Sequence, residues 1–310
     1  MENIENIGIV IPAYNESRTL SLLLEELKNS EYLINEFKYF EILVVNDGST
    51  DETSEILERT EGISIYTHGY NMGVGAAVRS GLRYFENKKF DYVVKIDGDR
   101  QHKVEEIKLL IEPLRENKAD LVYGDRFNGN IKYNMPRYRI LGNKLFTFLL
   151  NKLTKYKISD SQPGFFAGNN YFLKNFYILT NYNYTQQVLY SSYLAGLRFL
   201  QIPITFEERT HGDSFVKLTY PFKAILQILL MIMIKKPLTI FGNIGLIMTS
   251  ASVIIFVTQL VQYFTNNSSR PIENVNLVLG LGVSGIVFLI SSIVLKSIQN
   301  LEEIKRRNIN

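Results

Sequence analysis

The sequence contains no cysteine, no tryptophan and only three histidines among its 310 residues. Without cysteine there are no disulfide bonds, thiolate metal sites or cysteine nucleophile, which is typical of a protein in a reducing compartment. His68, His102 and His211 lack the ligand spacing of a zinc site. There is no G-x-S-x-G motif, so a nucleophile elbow is not indicated. These absences direct attention to carboxylate and cationic side chains.

Charge is spread unevenly along the chain. The formal net charge is only +3, which is too small to indicate a nucleic-acid partner by itself. The basic residues near the C-terminal part flank apolar segments, and this arrangement favours a membrane surface as the partner. A hydrophobic content of 46% can supply the core of one large domain or two modest ones.

Two long stretches near the C-terminus contain no charged residue. They lie between Lys236 and Arg270 and between Glu273 and Lys296. A membrane span needs about 20 apolar residues, so the two stretches predict a transmembrane hairpin; the alternative for the first is a buried core helix. Basic residues flank the hairpin on both sides: Lys235, Lys236, Lys296, Lys305, Arg306 and Arg307. By the positive-inside rule, both termini and the preceding domain are expected in the cytoplasm.

Composition divides the chain into four parts. We expect a catalytic domain over residues 1–221, the hairpin over 237–297 and a basic cytoplasmic tail over 298–310. Residues 222–236 are apolar but too short to span a membrane. They predict either an amphipathic helix in the membrane interface or a helix packed on the soluble domain. The N-terminus is acidic where a signal peptide would be basic, so no cleaved targeting segment is expected.

The soluble part alternates short β-branched runs with amphipathic stretches. The runs that predict strands are "IGIVIPAY", "FEILVVND", "ISIYTH", "FDYVVKID" and "ADLVYGD". Their alternation indicates an α/β domain with a mostly parallel sheet covered by helices. Ser49 and Glu52 in "GSTDET" predict a capping box at the start of one helix, and "GVGAAVRSGLRYF" predicts another helix after a glycine turn.

Candidate binding segments follow three of these strands, at the ends where ligands bind in open α/β sheets. They are Pro12, Tyr14 and Glu16 after the first strand, Asp47 after the second, and the segment Asp97 to Gln101 after a later one. Because the carboxyl ends of parallel strands meet at one edge, these distant segments are expected to lie together.

The pair Asp97 and Asp99 presents two like charges close together. We expect Gly98 to let the turn fold between them, so that both carboxylates point toward one position. A divalent cation converts the repulsion into ligation, and oxygen ligands favour Mg²⁺ or Mn²⁺. The alternative is a solvated Asp-Gly-Asp turn on the surface.

A cation held by few protein carboxylates completes its shell with phosphate oxygens and water, so a phosphorylated substrate is indicated. The candidate cationic partners in loops are Arg126, Arg137, Arg139, Arg209 and Lys217. Each of them alone could instead be a solvated surface charge. The segment "GLGVSG" (Gly280, Gly282, Gly285) fits a dinucleotide motif, but it lies in a predicted span and indicates helix packing instead.

Several motifs together resemble the family 2 inverting glycosyltransferases, and within them the dolichyl-phosphate mannose synthase branch. They are "VIPAYNE", "VVNDGSTDET", "NMGVGAAVRSGL", "KIDGDRQH", "GDRF", "ISDSQPGF" and the segment from "TQQVLY" to "GDSFVK". The resemblance covers nearly the whole chain and implies a GT-A type, Rossmann-like domain followed by an interfacial helix and two transmembrane helices. It implies inverting transfer of a sugar from a nucleotide-sugar donor to a polyprenyl (dolichyl or undecaprenyl) phosphate at the cytoplasmic membrane face, dependent on Mg²⁺ or Mn²⁺. A homo-oligomer is left open.

The resemblance also implies a role for each matching residue. The donor nucleotide would be bound by Pro12, Tyr14, Glu16, Asp47 (on the base), Gly73 and Asp97; the metal by Asp97, Asp99 and Gln101. The acceptor phosphate would be bound by Arg137, Arg139, Arg209, Ser214 and Lys217. The catalytic set would be Asp97, Asp99, Arg126, Asp160 and Arg209, with Asp160 orienting or deprotonating the acceptor.

Two positions depart from this family's pattern. Asn46 stands where many relatives have a first aspartate before Asp47, and Phe166 stands where many have arginine after Phe165. The second change removes a positive charge near the expected acceptor region. The alternatives to lipid-phosphate transfer are transfer to a glycolipid or polysaccharide hydroxyl and a non-catalytic nucleotide-sugar-binding membrane protein. Processive polysaccharide synthases carry Q-x-x-R-W, and the absence of tryptophan argues against that group.

Overall fold

The structure, a computed structural model, describes residues 5–182, 184–209, 236–265 and 269–307, with only the backbone for 302–307. Residues 226, 230, 232 and 233 are also described. The chain divides into two compact units, residues 1–221 and 222–310. The predicted interfacial helix over 222–236 lies mostly outside the described residues.

Seven strands form one sheet in the described part of the first unit. They are β1 (Asn6–Ala13), β2 (Tyr39–Asn46), β3 (Ser64–Thr67), β4 (Tyr92–Lys95), β5 (Leu121–Ile131), β6 (Phe166–Asn169) and β7 (Phe199–Phe206). Their order is β3-β2-β1-β4-β6-β5-β7. β6 runs antiparallel to both neighbours, and the other pairs are parallel. The five predicted strands are confirmed as β1 to β5, and so is the mostly parallel sheet.

Helices connect and cover these strands. They are α1 (Leu20–Lys28), α2 (Glu31–Glu36), α3 (Thr53–Arg59), α4 (Val74–Lys88), α5 (Ile107–Arg115), α6 (Arg137–Leu153), α7 (Asn170–Asn175) and α8 (Tyr184–Leu194). A 3₁₀ turn, Val104–Glu106, precedes α5. The helix predicted from "GVGAAVRSGLRYF" is confirmed as α4, which begins directly after Gly73.

β1 shows why helices cover both faces of the sheet. Its residues from Ile7 to Ala13 are all buried. Successive side chains of a strand point to opposite faces. Ile7, Ile9 and Ile11 join an apolar cluster with α1 and α5, and α4 packs against β1 as well. A central parallel strand therefore reads as a continuous apolar run.

The second unit contains α9 (Asn243–Phe264), preceded by a π-helical turn (Leu238–Gly242), and α10 (Val275–Arg307). Two segments, Leu238–Phe264 and Val275–Leu301, are long and apolar enough to cross a membrane. Only 11% and 17% of their most apolar windows is buried, unlike the core helix of a soluble domain. A Cβ at Gly285 would lie 2.6 Å from Thr249 Cγ2 and 2.9 Å from the Gly245 carbonyl, so this glycine serves close helix packing.

The local prediction of a capping box is wrong, and the aspartate turn has its left-handed residue after Gly98. α3 has no capping box, because the Ser49 hydroxyl accepts a hydrogen bond from the Asn15 amide instead, and Asp51 accepts from the Thr53 amide. Gly98 does not take a positive φ. Arg100 is the left-handed residue of that turn, with φ 58°.

Candidate active site

The carboxyl ends of β2, β1 and β4 lie side by side, and their loops are joined by hydrogen bonds. The Thr19 hydroxyl donates to the Gly98 carbonyl (2.8 Å), which links the loop after β1 to the turn after β4. The Glu16 amide donates to the Thr53 hydroxyl (3.0 Å), which links the loop after β1 to the start of α3. The structure thus brings together the three polar segments that the sequence predicts at this edge.

The turn after β4 holds Asp97, Asp99 and Gln101 in different environments. Asp97 Oδ1 accepts a hydrogen bond from Lys95, and its Oδ2 lies 3.8 Å from His102 Nε2. Asp99 Oδ1 accepts from the Gln101 amide (3.1 Å). The Gln101 side chain donates to the Glu207 carbonyl (3.0 Å), so its amide oxygen is the atom that can bind a cation.

Opposite electrostatic effects act on the two aspartates. Burial raises the pKa of Asp97, but the Lys95 ammonium and His102 outweigh it and hold that pKa below the ordinary value. Burial raises the pKa of Asp99, and the charge of Asp97 raises it further. Asp99 therefore carries most of the uncompensated repulsion in this turn.

These residues suit a divalent cation only in part. Among the described residues, no three His, Cys, Asp or Glu side chains lie close enough to form a metal site by themselves. Two carboxylates and one amide oxygen form a hard donor set that fits Mg²⁺ or Mn²⁺. The remaining ligands would have to come from substrate phosphate and water.

Glu16 and Arg209 form an ion pair beside this turn. Arg209 Nη2 donates to Glu16 Oε1 (2.6 Å), and Arg209 Nε lies 3.8 Å from Asp99 Oδ2. Burial raises the pKa of Glu16 to about 7, an effect that Arg209 opposes and the charge of Asp99 supports. Arg209 thus joins a residue of the first loop to the aspartate turn.

The raised pKa of Glu16 predicts a pH dependence of stability in metal-free protein. Between its ordinary value of 4.5 and about 7, the native state binds more protons than the unfolded state, so the free energy of unfolding falls as pH rises. We expect a fall of about 2 kcal/mol, and Glu16→Gln should remove it. Denaturation in EDTA at a series of pH values measures this; parallel curves for both proteins would contradict it.

Asp47 is buried and directed toward the loop before α4. Its Oδ1 accepts from the Met72 amide (3.0 Å) and contacts His68 Nδ1 (2.6 Å), and its Oδ2 accepts from the Gly73 amide (2.7 Å). Gly73 has φ +95°, which favours glycine. Asp47 therefore fixes the start of α4.

Arg126 and Asp160 form a buried ion pair at the end of the sheet near β5. Arg126 Nε and Nη2 donate to Asp160 Oδ2 (2.7 Å) and Oδ1 (3.0 Å). Asn143 on α6 also donates to Asp160 (2.6 Å). Burial raises the pKa of Asp160, but Arg126 outweighs it and keeps that pKa below the ordinary value. Asp160 thus holds the guanidinium of Arg126 in place, and a carboxylate with a lowered pKa and hydrogen bonds on both oxygens is a poor proton acceptor.

The remaining predicted residues are dispersed. Pro12 is buried in β1 and Tyr14 is partly buried after it. Arg137 and Arg139 lie in the first turn of α6, and Arg139 Nε is buried without a hydrogen-bond partner. Ser214 and Lys217 lie outside the described residues.

Sequence reasoning missed Lys95 and Asn143. A lysine inside "YVVKID" reads as a solvated residue of a strand, yet its side chain is fully buried. Phe166, where many relatives have arginine, is its direct partner in the antiparallel β4–β6 pair. Lys95 on β4 thus supplies a positive charge next to Phe166, the position that lacks the arginine of many relatives.

The profile of the family described as Glycosyl transferase family 2 matches residues 8–176, more than half of the chain. The chain belongs to glycosyl transferase family 2. Membership confirms the resemblance seen in the motifs and makes the chain a glycosyltransferase.

Relatives of this family 2 chain include two archaeal proteins. One is the uncharacterized protein MJ1222 of Methanocaldococcus jannaschii, 31% identical over 163 residues, or 52% of this chain and 64% of that protein. The other is the UDP-N-acetylglucosamine–dolichyl-phosphate N-acetylglucosaminyltransferase of Methanococcus voltae, 30% identical over 185 residues, or 54% of this chain and 71% of that protein. Further relatives are named as mannosyltransferases of dolichol phosphate and undecaprenyl phosphate.

A solved structure confirms the GT-A fold of the family 2 domain. It is glucosyl-3-phosphoglycerate synthase from Mycobacterium tuberculosis, with Mn²⁺, uridine diphosphate and phosphoglyceric acid bound. The TM-score is 0.55 at 20% identity, over 74% of this chain and 78% of that chain.

Proposed function

We propose that this chain transfers a sugar from a nucleoside-diphosphate sugar to a polyprenyl phosphate, with inversion, at the cytoplasmic face of a membrane. The observation that carries the proposal is the buried pair of Arg126 and Asp160. It presents a fixed cation and no general base, because Asp160 is fully bonded. The names of the relatives, which act on dolichyl or undecaprenyl phosphate, support the same acceptor class.

A phosphate acceptor suits that arrangement better than a hydroxyl. The second pKa of a phosphate monoester is about 6, so the acceptor is largely a dianion at neutral pH and needs no base. A sugar hydroxyl would need one. The acceptor instead requires cations that position it. We assign this to Arg126, Arg137, Arg139 and Arg209, together with Ser214 and Lys217.

The donor side is formed by the loops after β1, β2 and β4. Pro12, Tyr14 and Glu16 line the nucleotide pocket, and Gly73 closes it. Asp47 contributes through Oδ2, which accepts the Gly73 amide and has a second lone pair for a donor from the base. Asp97, Asp99 and Gln101 would hold Mg²⁺ or Mn²⁺. Such an ion, when bound, offsets negative charge on the departing nucleoside diphosphate.

The bonds that form and break in the proposed transfer follow from this arrangement of donor and acceptor. A phosphate oxygen of the lipid attacks the anomeric carbon from the face opposite the diphosphate. The bond between that carbon and the diphosphate oxygen breaks, and the electron pair leaves with the nucleoside diphosphate. Arg126 holds the attacking group in line, which is the main contribution that positioning makes to such a displacement.

We propose the four-part division for the whole chain: a catalytic domain (1–221), a juxtamembrane helix (222–236), the hairpin (237–297) and a basic tail (298–310). The two apolar segments of the second unit support the hairpin. The basic residues that flank the hairpin support a cytoplasmic position for both termini by the positive-inside rule.

α6 offers an apolar face suited to the membrane surface. Tyr138, Leu141, Leu145 and Phe148 recur at helical spacing, with side chains 44 to 67% exposed. Lys152 lies over the Phe148 ring (4.8 Å), and Arg137 begins the helix. Apolar residues with basic neighbours are typical of a helix in the membrane interface.

This face predicts a substitution effect that depends on the acceptor. Leu141→Glu should lower transfer to a polyprenyl phosphate in anionic vesicles about tenfold, because a charge opposes burial among lipids. Transfer to a short, water-soluble prenyl phosphate should not change. Leu22→Glu, an exposed leucine of α1, is the matched control. Equal loss with both acceptors would contradict a membrane role for α6.

The function itself is tested with purified full-length protein, a panel of nucleotide sugars and polyprenyl phosphates, and mass measurement of the lipid product. We expect one donor to yield a sugar-phosphate lipid. Efficient transfer to a soluble sugar hydroxyl would defeat the lipid-phosphate assignment. Binding of donor without turnover would support the non-catalytic alternative.

The metal assignment has its own test. Asp99→Asn should reduce metal-dependent transfer at least about a hundredfold, because one of two charged ligands is lost. Unchanged transfer over a Mn²⁺ and Mg²⁺ titration would show that Asp99 is not a ligand.

A further inference from the structure

Lys95 is a fixed, fully buried cation at the end of β4. Its side chain has no exposure to solvent. The ammonium donates to Asp97 Oδ1 and to the Gly164 carbonyl (2.6 Å), and it lies 5.4 Å from the centre of the Tyr184 ring. Burying an ammonium is costly unless its donors are satisfied. This one is held by two acceptors and a ring face, and so it cannot move away when another cation arrives.

Stability alone does not account for a lysine at this position. A buried ion pair adds little net stability over apolar residues of similar volume, and the adjoining residues Val93, Val94 and Ile96 are fully buried apolar side chains. Lys95 also connects two segments of the site, because Asp97 belongs to the aspartate turn and Gly164 to the loop that carries Asp160. The position of Lys95 indicates that its charge acts on the Asp97 carboxylate.

We propose that Lys95 is a positioning residue that weakens divalent-cation binding by the free protein and makes strong binding depend on the nucleotide. This inference rests on the proposed metal assignment. An ammonium bonded to Asp97 Oδ1 repels a cation that approaches the same carboxylate. The diphosphate of a donor brings further oxygen ligands and negative charge, which overcome that repulsion. The cation would then be retained only while the nucleotide is bound.

Mn²⁺ binding measures the effect without any turnover. The full-length chain in detergent is titrated with Mn²⁺, and free Mn²⁺ is followed by electron paramagnetic resonance, with and without UDP or GDP. In the native protein we expect the better nucleotide to raise Mn²⁺ affinity at least about tenfold. Lys95→Gln keeps a donor for Gly164 without the charge. It should bind Mn²⁺ alone about tenfold more tightly than the native protein.

Two further variants separate charge from structure. Lys95→Arg retains the charge and should keep the weak binding of Mn²⁺ alone. Lys88→Gln is the matched control: Lys88 also binds a carboxylate, Glu41 Oε1 (2.9 Å), near the start of β2 and so at the opposite edge of the sheet. It removes the same charge and should leave Mn²⁺ affinity unchanged.

Three results would overturn the inference. The first is a folded Lys95→Gln protein that binds Mn²⁺ no more tightly than the native chain. The second is native protein that binds Mn²⁺ equally well without nucleotide, a measurement that needs no variant to fold. The third is no Mn²⁺ binding by any of the proteins even with nucleotide, which would also remove the metal assignment. Sugar transfer is measured separately by the mass of the lipid product, so failure of the metal inference would leave the transfer reaction to its own test.

Discussion

Gly164→Ala should reduce sugar transfer at least about a hundredfold. A Cβ there would lie 1.8 Å from Asp97 Oδ2 and 3.2 Å from His102 Nε2. Asp97 is held on its other oxygen by Lys95, so it cannot yield without losing that contact. A displacement of about 1 Å in a catalytic group can cost a hundredfold in rate.

Steady-state transfer and thermal unfolding together test this prediction. Gly142→Ala is the control, because a Cβ at this position of α6 would meet no atom within 4 Å. It should retain transfer and raise the free energy of unfolding by about 0.5–1 kcal/mol, since alanine favours a helix over glycine. Full activity of Gly164→Ala would show that the Asp97 carboxylate does not need its present position.

The second large effect is expected for Asp160→Asn. The substitution leaves the buried guanidinium of Arg126 without its counter-ion and places an amide against Asn143. Breaking a buried ion pair from one side costs about 3–5 kcal/mol, and we expect the free energy of unfolding to fall by that amount. Transfer should fall at least about a hundredfold, because Arg126 loses its position.

A double variant distinguishes stability from function here. Adding Arg126→Gln to Asp160→Asn removes the unpaired charge, so much of the lost stability should return. Transfer should stay low, because the acceptor phosphate then lacks its cation. Recovery of both properties would mean that the pair serves only the fold. Denaturation and lipid-product assays on the three proteins decide between these results.

Much of the sheet could be predicted from sequence for a physical reason. β1, β2, β4 and the first half of β5 are buried on both faces, so each appears as a short β-branched run that ends in polar residues. β6 gives no such signal, because its four residues "FAGN" include glycine and pair only with distant strands. β7 was missed because its residues are only partly buried.

The residues of the candidate site could likewise be predicted from the sequence only in part. The rule that ligands bind beyond strand ends correctly grouped Glu16, Asp47 and the aspartate turn. Contacts that depend on tertiary packing could not be predicted from the sequence. Ser49 reads as a helix cap but bonds to the Asn15 amide, and Asn143 is an ordinary helix residue until α6 brings it to Asp160. The burial of Lys95 could be learned only from the antiparallel pairing of β4 with β6.

The antiparallel direction of β6 affects which segments of the site can vary independently. A parallel strand sends the chain outward at the active edge, whereas β6 receives the chain there, directly after the loop that carries Asp160 and Gly164. Under the proposed function, the donor side uses outgoing segments, whereas the acceptor side combines the outgoing segments that carry Arg126 and Arg209 with this incoming one. The incoming segment, between α6 and β6, could be exchanged between homologous enzymes without altering strand order. Under the proposed function, such an exchange should alter acceptor preference and leave the nucleotide preference unchanged.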